Sequence, residues 1–296
     1  MLAQPRGVAA GGEGRAGTIG PTNHREMTMT GADYVHGYSG REAERLTDQA
    51  DVLAALLHDG IAFPAGDSVL EPGCGVGSQT VHLAARSPGA RIVALDVSPA
   101  SLTQARRRVA DAGFSNVTFQ QGDIHRLPFD DQSFDHVFVC FLLEHLPEPA
   151  RALAEFRRVL RPGAGITVVE GDHGSAYFHP DSEAARHAIG CLVELQARAG
   201  GNSLIGRQLH PLLTAAGFHD VRVEPRMVYA DSSLPQLVEG FTLRTFTAMV
   251  EGVREEALGQ GLVSETEWEQ GVAGLHRTAE QDGVFCYTFF RAVAFR

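Results

Sequence analysis

From Asp67 onward, short apolar runs alternate along the chain with amphipathic helical patterns. This alternation predicts five strands, at residues 68–72, 91–96, 117–121, 134–141 and 165–171. Helices with one apolar face are predicted between most of them, at residues 78–87, 99–113 and 148–160. Strands that alternate with helices form a parallel sheet covered on both faces. We therefore predict an α/β fold with a doubly wound, Rossmann-like sheet.

The pattern loosens around and after the fifth predicted strand. A Pro/Gly turn at Arg161–Gly165 is predicted to separate that strand from the preceding helix. Further elements are predicted as helices at 182–200 and 204–218, a strand at 221–228 and a last, buried strand at 284–295. The long connection between these two strands reads as mostly helical, and such connections often cover a ligand site.

The charge balance and the cysteine spacing disfavour several classes of function. Acidic residues outnumber basic ones by 36 to 25 among 296 residues. The sequence contains no run of basic residues with interleaved aromatics of the kind that binds along a nucleic-acid phosphate backbone. We therefore expect no nucleic-acid partner. No window reaches the roughly 18 to 20 consecutive apolar residues of a membrane span, so no membrane association is expected. The four cysteines lack a CxxC pair, which favours a reducing, cytoplasmic location over disulfides or structural zinc.

A glycine-rich turn lies between the first predicted strand and its helix. In VLEPGCGVGSQT, Gly73, Gly75 and Gly77 let the backbone approach a ligand at a helix N-terminus. A dinucleotide fingerprint would place a glycine or alanine at Ser78, so the spacing departs from that pattern. Glu71 would repel a pyrophosphate but attract an ammonium or sulfonium. The loop therefore favours a ligand with positive charge at this end.

Two further acids follow the second and third predicted strands. Asp96 lies 21 residues after Gly75 and can accept two hydrogen bonds from ribose hydroxyls. Alternatively, it caps the helix that begins near Pro99. Asp123 can take an adenine amino group while Ile124 packs on the ring, although a Gly-Asp pair at a strand end is also an ordinary turn.

These motifs occur in an order that resembles a known family. Over about Asp67 to Asp172 the chain resembles the class I S-adenosylmethionine-dependent methyltransferases, in particular the small-molecule enzymes of ubiquinone and menaquinone biosynthesis. The motifs that carry the resemblance are EPGCGVG, Asp96, Gly122-Asp123, LPFDDQSFDHVFVCFLLEHL and RVLRPGAGITVVEGD. The resemblance implies a seven-stranded sheet whose last strand runs antiparallel between the fifth and the sixth. It also implies S-adenosylmethionine as cofactor and a small organic molecule as methyl acceptor.

The resemblance further implies which residues contact each part of the cofactor. In related enzymes an N-terminal aromatic segment folds over the cofactor, and Tyr34 and Tyr38 are its expected members here. The other contacts that it implies are Gly73 and Gly75 with the methionine moiety, the Cys140 backbone with its amino-acid end, Asp96 with the ribose, Val97 and Ile124 with the adenine faces, and Asp123 with the adenine amine. Glu71, from its charge, and Cys74, which stands where a smaller residue is more usual, complete the expected cofactor site.

These expectations divide the chain into four parts. Residues 1–30 are predicted to be a disordered tail, and residues 31–66 a helical lid. Residues 67–229 and 284–296 are predicted to form the methyltransferase core. Residues 230–283 are predicted to be a helical insertion that covers the substrate.

The candidate catalytic residues follow the fourth and fifth predicted strands. His145, Asp172 and His173, with Glu170 beside the latter two, lie at the carboxyl edge of the sheet, where open α/β folds bind ligands. In-line methyl transfer draws much of its rate from orientation and water exclusion, so a general base is optional. His145 can instead start the next helix, and Asp172 and His173 can form an ordinary turn. Their spacing does not resemble a zinc site, so no metal is expected.

Other functions share parts of this pattern. An NAD-dependent oxidoreductase would share the sheet, the loop and Asp96, but Glu71 and the missing third glycine disfavour it. A non-catalytic sensor of an adenosyl ligand, or a partner subunit, would keep the fold without turnover. A protein methyltransferase is disfavoured by the acidic balance. The sequence specifies neither the acceptor nor the oligomeric state.

Overall fold

The predicted order of strands and helices is present in the computed structural model, which describes residues 50 and 52–296. The strands are β1 (Ser68–Pro72), β2 (Arg91–Asp96), β3 (Val117–Gln121), β4 (Phe134–Cys140), β5 (Leu160–Gly171), β6 (Tyr177–His179), β7 (His219–Asp231) and β8 (Val284–Phe295). The α-helices are α1 (residues 50 and 52–57), α2 (Ser78–Arg86), α3 (Pro99–Asp111), α4 (Pro149–Val159), α5 (Glu183–Arg198), α6 (Leu209–Ala215), α7 (Pro235–Leu237), α8 (Ala248–Glu251), α9 (Arg254–Gly259) and α10 (Glu265–Arg277). A π-helix, Val238–Thr247, joins α7 to α8, and 3₁₀-helices lie at Leu143–His145, His173–Ser175 and Ile205–Gln208.

One sheet contains all of these strands, in the order β3-β2-β1-β4-β5-β8. Strands β5 and β6 pair with different stretches of one edge of β8, and β7 pairs with its other edge. Strands β1 to β5 pair in parallel, whereas β8 is antiparallel to both β5 and β7. The doubly wound sheet and the antiparallel last strand are therefore confirmed. Because the strand order reverses between β1 and β4, their carboxyl ends flank the crevice in which such sheets bind ligands.

Two details of the sheet differ from the sequence prediction. The three-residue strand β6 pairs with the start of β8 and brings the seven predicted strands to eight. Three residues are too few to show a hydrophobic period. Moreover, β5 begins at Leu160, which pairs with Phe134, and its next partnered residue is Gly165 opposite His136. The predicted turn is therefore a bulge within β5, where Gly163 has a φ of 76°.

The two faces of the sheet are covered by separate apolar layers. Along β4, Phe138 faces one layer while Val137 and Val139 face the other, as the strand period of two requires. The first layer contains residues of α1, α2, α5 and the helices that follow β7, and the second contains residues of α4 and α6. Among the described helices, none has the length and apolar character needed to cross a membrane.

An aromatic cluster attaches the helices after β7 to the last strand. Phe246 of the π-helix lies 4.9 Å from Phe285 of β8 between ring centroids, and Phe241 lies 5.5 Å from Tyr287. All four rings are at most 2% exposed. Residues five apart share one face of a π-helix, because its hydrogen bonds run from i to i+5. The apolar stripe of this segment therefore packs into the core, whereas Leu234 before it is 47% exposed.

Phe241→Ala is expected to lower the free energy of unfolding by about 3–5 kcal/mol, because it leaves a cavity among the rings of β8. Urea unfolding measures the loss. Leu234→Ala, at an exposed position of the same segment, is the matched control and should change stability by less than about 0.5 kcal/mol. Equal effects of the two substitutions would contradict the packing described for the π-helix.

Candidate functional site

The loop between β1 and α2 packs against two neighbouring segments. Gly73, Gly75 and Gly77 have φ angles of 70°, 53° and 81°. A Cβ at Gly73 would lie 2.6 Å from Cδ1 of Leu142, and one at Gly77 would lie 2.9 Å from Cα of Ala105. A Cβ at Gly75 would meet nothing within 4 Å. Gly73 and Gly77 therefore permit close packing of the loop, whereas the Gly75 backbone is open to a ligand.

Asp96 joins the end of β2 to this loop. Its Oδ2 accepts the Gly75 N–H at 2.9 Å, and its Oδ1 accepts the Ser98 N–H at 2.8 Å. Ser98, not Asp96, is the N-cap of α3, so the capping alternative for Asp96 is wrong. Burial raises the pKa of Asp96, and the backbone hydrogen bonds offset part of that shift. Each carboxylate oxygen can accept a second hydrogen bond, so the ribose contact is compatible with this geometry and stays a prediction.

Glu71 is buried at the end of β1, with 3% of its surface exposed. Its Oε2 has no hydrogen-bond partner among the described residues. Burial raises the pKa of Glu71 to about 8; the Thr80 side chain lowers it and the charge of Asp96 raises it further. The carboxyl therefore keeps its proton at neutral pH unless a cation lies beside it.

The ends of β2 and β3 meet at the same edge of the sheet. The Gly122 N–H donates to the carbonyl of Asp96 at 3.1 Å. Val97 is 59% exposed, whereas Ile124 is half-buried against the second apolar layer. Oδ1 of Asp123 accepts the backbone N–H two residues further on at 2.8 Å, which makes a tight turn. The structure brings these residues together, and their contacts with an adenine stay predictions.

One cysteine lies within the loop and another at the end of β4. Cys74 is buried, and its N–H donates to the carbonyl of Leu95 at 2.9 Å. Cys140 ends β4 and is partly buried. Burial raises the pKa of both thiols, and nearby carboxyls, Glu71 for Cys74 and Glu170 for Cys140, add to the shift. Both thiols are therefore protonated, and their predicted place in the cofactor site concerns packing and backbone.

His145 lies directly after β4, in the 3₁₀-helix Leu143–His145. Its Nε2 lies 3.5 Å from Oε1 of Glu144, and its side chain is 22% exposed. Helix α4 begins only at Pro149, with Glu148 as its N-cap residue. The alternative that His145 starts that helix is therefore wrong. A role in catalysis stays a prediction.

Asp172 and His173 are tied to neighbouring elements. Asp172 is 2% exposed, and its two oxygens accept Nε and Nη2 of Arg207 at 2.6 and 2.7 Å. Nδ1 of His173 lies 2.7 Å from the Tyr287 hydroxyl, and its ring lies 5.9 Å from that of Phe246. Asp172 links the end of β5 to the 3₁₀-helix Ile205–Gln208, and His173 contacts β8 and the π-helix. Their catalytic roles stay predictions.

Sequence reasoning missed two residues that shape this edge, Leu142 and Tyr287. Oε1 of Glu170 accepts two adjacent backbone N–H groups, of Leu142 at 3.0 Å and of Leu143 at 2.7 Å. The side chain of Leu142 covers Gly73, and nothing in an apolar run indicates which leucine does so. Tyr287, the partner of His173, is 114 residues away along the chain, which no local pattern reveals.

The predicted lid is described only in part. Tyr34 and Tyr38 lie outside the described residues, as do residues 1–30. Helix α1 packs against the π-helix, since a Cβ at Gly240 would lie 2.3 Å from Cγ2 of Val52. Just after α1, Nε2 of His58 lies 2.7 Å from Oε1 of Gln79 in α2. The end of the predicted lid therefore contacts both the helix of the glycine loop and the helices after β7.

Glu71→Gln is expected to stabilise the ligand-free protein at pH 8 by about 2–4 kcal/mol. Folding raises the pKa of Glu71 from 4.5 to about 8, so the folded state binds more protons and loses stability as the pH rises through this window. Glutamine removes that dependence. Urea unfolding at pH 5 and pH 8 measures it, with Glu255→Gln at an exposed position as control. Parallel stability curves for E71Q and the unsubstituted chain would contradict the assignment.

The core of the chain is similar to known proteins. Residues 70–168 match the family described as a methyltransferase domain. An uncharacterized 37.1 kDa protein in transposon TN4556 of Streptomyces fradiae is 36% identical over 209 residues, 70% of this chain and 59% of that protein. The ubiquinone/menaquinone biosynthesis C-methyltransferase UbiE of Paracoccus denitrificans is 34% identical over 149 residues, 47% of this chain and 59% of that enzyme. The chain thus spans less than two thirds of these relatives.

A solved structure shows the same fold. Phosphoethanolamine N-methyltransferase 2 of Haemonchus contortus, in complex with phosphomonomethylethanolamine and S-adenosylhomocysteine, matches with a TM-score of 0.54. The match covers 87% of this chain and 58% of that chain at 19% identity, and therefore concerns the fold alone. The domain match and the similarity to UbiE show that the core of this chain is similar to the class I S-adenosylmethionine-dependent methyltransferases.

Proposed function

We propose that this protein transfers a methyl group from S-adenosylmethionine to a small organic molecule. The observation that carries the proposal is a buried carboxyl oxygen without a partner, Oε2 of Glu71, on the strand that leads into a loop whose backbone is open at Gly75. The oxygen requires a hydrogen-bond or ionic partner, and the loop admits a ligand. A cationic adenosyl ligand satisfies both, whereas a pyrophosphate would be repelled.

The residues around the loop fit this cofactor along its length. Glu71 would hold the cationic methionine end, directly or through water, and Asp96 the ribose hydroxyls. Asp123 and Ile124 would hold the adenine. When bound, the cofactor supplies an electrophilic methyl group on a positively charged sulfur. The Glu71 carboxylate would supply the opposite charge, which is buried and therefore weakly screened by water.

Methyl transfer at this site requires orientation more than acid–base chemistry. A lone pair of the acceptor forms the new bond to the methyl carbon while the carbon–sulfur bond breaks and its electron pair stays on sulfur. The protein holds the two reactants in line and excludes water. Helix α1 and the helices after β7 are the parts of the chain we propose for that enclosure, because they pack on each other at Val52 and Gly240.

His145 is the proposed proton acceptor for a hydroxyl or ammonium substrate. It is partly exposed at the carboxyl end of β4, and the Glu144 carboxylate 3.5 Å away would stabilise the imidazolium. Asp172 and His173 are more deeply buried. Their contacts with Arg207 and Tyr287 suit residues that hold this edge of the sheet, and direct substrate contact by either is the second possibility.

The acceptor is proposed only as a small organic molecule, methylated at nitrogen, oxygen, sulfur or carbon. The names of the related proteins include both a C-methyltransferase and an N-methyltransferase, so the similarity leaves the atom open. Incubation of the protein with methyl-labelled S-adenosylmethionine and a metabolite extract, followed by mass spectrometry, identifies a labelled product. A folded protein that binds no cofactor at millimolar concentration would overturn the proposal.

A second candidate is a sensor or partner subunit that binds the adenosyl ligand without turnover; a protein methyltransferase is less favoured. The observation that favours the sensor is the engagement of Asp172 and His173 in contacts with Arg207 and Tyr287. Tight cofactor binding with no labelled product from any extract would support it. A labelled small molecule would exclude it.

Asp96→Ala is expected to weaken binding of S-adenosylhomocysteine about 10- to 100-fold, because a charged acceptor of hydrogen bonds is lost. Isothermal titration calorimetry measures the affinity. Asp111→Ala, on the exposed surface of α3, is the control and should leave it unchanged. Unchanged affinity in D96A would count against the ribose contact.

His145→Ala is expected to lower kcat about 100- to 10,000-fold with the acceptor found in the labelling experiment, while the cofactor Kd stays the same. The reason is that proton removal from the acceptor then falls to water. His276→Ala, at an exposed site where the histidine also neighbours a glutamate, is the matched control. A kcat that does not change in H145A would show that His145 is not the base.

A further inference from the structure

Glu170 stands at the end of β5 with none of its surface exposed. Its Oε1 accepts the N–H groups of Leu142 at 3.0 Å and Leu143 at 2.7 Å. These two amides belong to the turn that follows β4, the strand next to β5. One buried oxygen thus fixes the position of that turn relative to β5.

The turn that Glu170 holds is conformationally constrained. Phe141, its first residue, has a φ of 53°, a region that costs a side chain other than glycine about 1–2 kcal/mol. The conformation is held by the Phe141 N–H, which donates to the carbonyl of Val169 at 2.9 Å, and by the Phe141 ring, 5.4 Å from that of Phe289. Such strain persists only where surrounding contacts over-determine it, and the bonds to Glu170 are two of those contacts.

The same turn packs against the glycine loop between β1 and α2. The Leu142 side chain occupies the space above Gly73, where a Cβ would lie 2.6 Å from Leu142 Cδ1. A contiguous path therefore runs from Glu170 through Leu142 to Gly73. The open backbone of Gly75 lies two residues further along the same loop.

The second oxygen of Glu170 is buried without a partner among the described residues. Burial raises the pKa of Glu170, and the neighbouring Glu144 carboxyl raises it further, whereas its backbone hydrogen bonds lower it. A neutral carboxyl suits a group that acts through Oε1 as a backbone acceptor. A glutamine can supply that acceptor as well, since its carbonyl oxygen occupies the same place.

We infer that Glu170 is a positioning residue for the methyl donor: through the amides of Leu142 and Leu143 it sets the turn after β4, which in turn sets the glycine loop. This inference rests on the proposed function. It assigns Glu170 no contact with the cofactor and no part in proton transfer. Its effect is on cofactor affinity, through a loop that the side chain does not itself touch.

Calorimetric titration of the full chain with S-adenosylhomocysteine, together with thermal unfolding, tests the inference. Glu170→Ala should weaken binding about 10- to 100-fold, as a misplaced loop does, while Glu170→Gln should stay within about threefold of the unsubstituted chain. Val168→Ala, another buried position of β5, is the matched control: its melting temperature should fall while its affinity persists. Rescue by glutamine and the contrast with V168A separate positioning from a loss of stability.

A double-mutant cycle tests the route. Leu142→Ala should weaken binding to a similar extent, and E170A combined with L142A should lose less than the product of the single losses, since both act on one contact chain. Full affinity in a folded E170A, or losses that multiply, would overturn the inference while the unsubstituted chain still binds.

An unsubstituted chain that binds no S-adenosylhomocysteine would instead overturn the proposed function. If E170A does not fold, E170Q and L142A decide the matter: low affinity in E170Q, or full affinity in L142A, overturns the inference.

Discussion

The two hydrogen bonds of the Asp96 carboxylate are the contacts on which the site depends. They join three pieces of chain that the fold brings to one edge: the end of β2, the glycine loop after β1 and the start of α3. A loop with three glycines at positive φ has much conformational freedom to lose, and a buried carboxylate is costly unless it is hydrogen-bonded. The Asp96 carboxylate holds the loop at Gly75, and the N–H groups of Gly75 and Ser98 satisfy the carboxylate.

The buried acids at the ends of β1, β2 and β5 have different roles at this edge of the sheet. Asp96 and Glu170 each accept two backbone N–H groups and thereby hold the segments on either side of the crevice. Glu71, on the strand between them, has an oxygen without a partner, and burial raises its pKa to about 8. Two acids therefore hold backbone amides, while Glu71 is the acid that we propose for contact with the cationic end of the ligand.

The sequence predicted the parts of the molecule that depend on local pattern. Strands and helices up to Gly171 show their own hydrophobic period, and the glycine loop with Asp96 shows a recognisable spacing, so both were predictable. The strand β6 was not, because three residues show no period. The partners of Asp172 and His173 were not either, since Arg207 lies 35 residues away and Tyr287 lies 114 residues away along the chain.

The sequence by itself determined the class of fold and led to the predictions of a ligand crevice and of a loop that favours positive charge, because period, spacing and residue type are local properties. Only the tertiary structure decided which acids hold the backbone of other segments. Asp96 and Glu170 accept such amides, although Oε2 of Glu170, like Oε2 of Glu71, has no partner among the described residues. These contacts arise from strand order and from the turn after β4, which bring together residues that no local pattern connects.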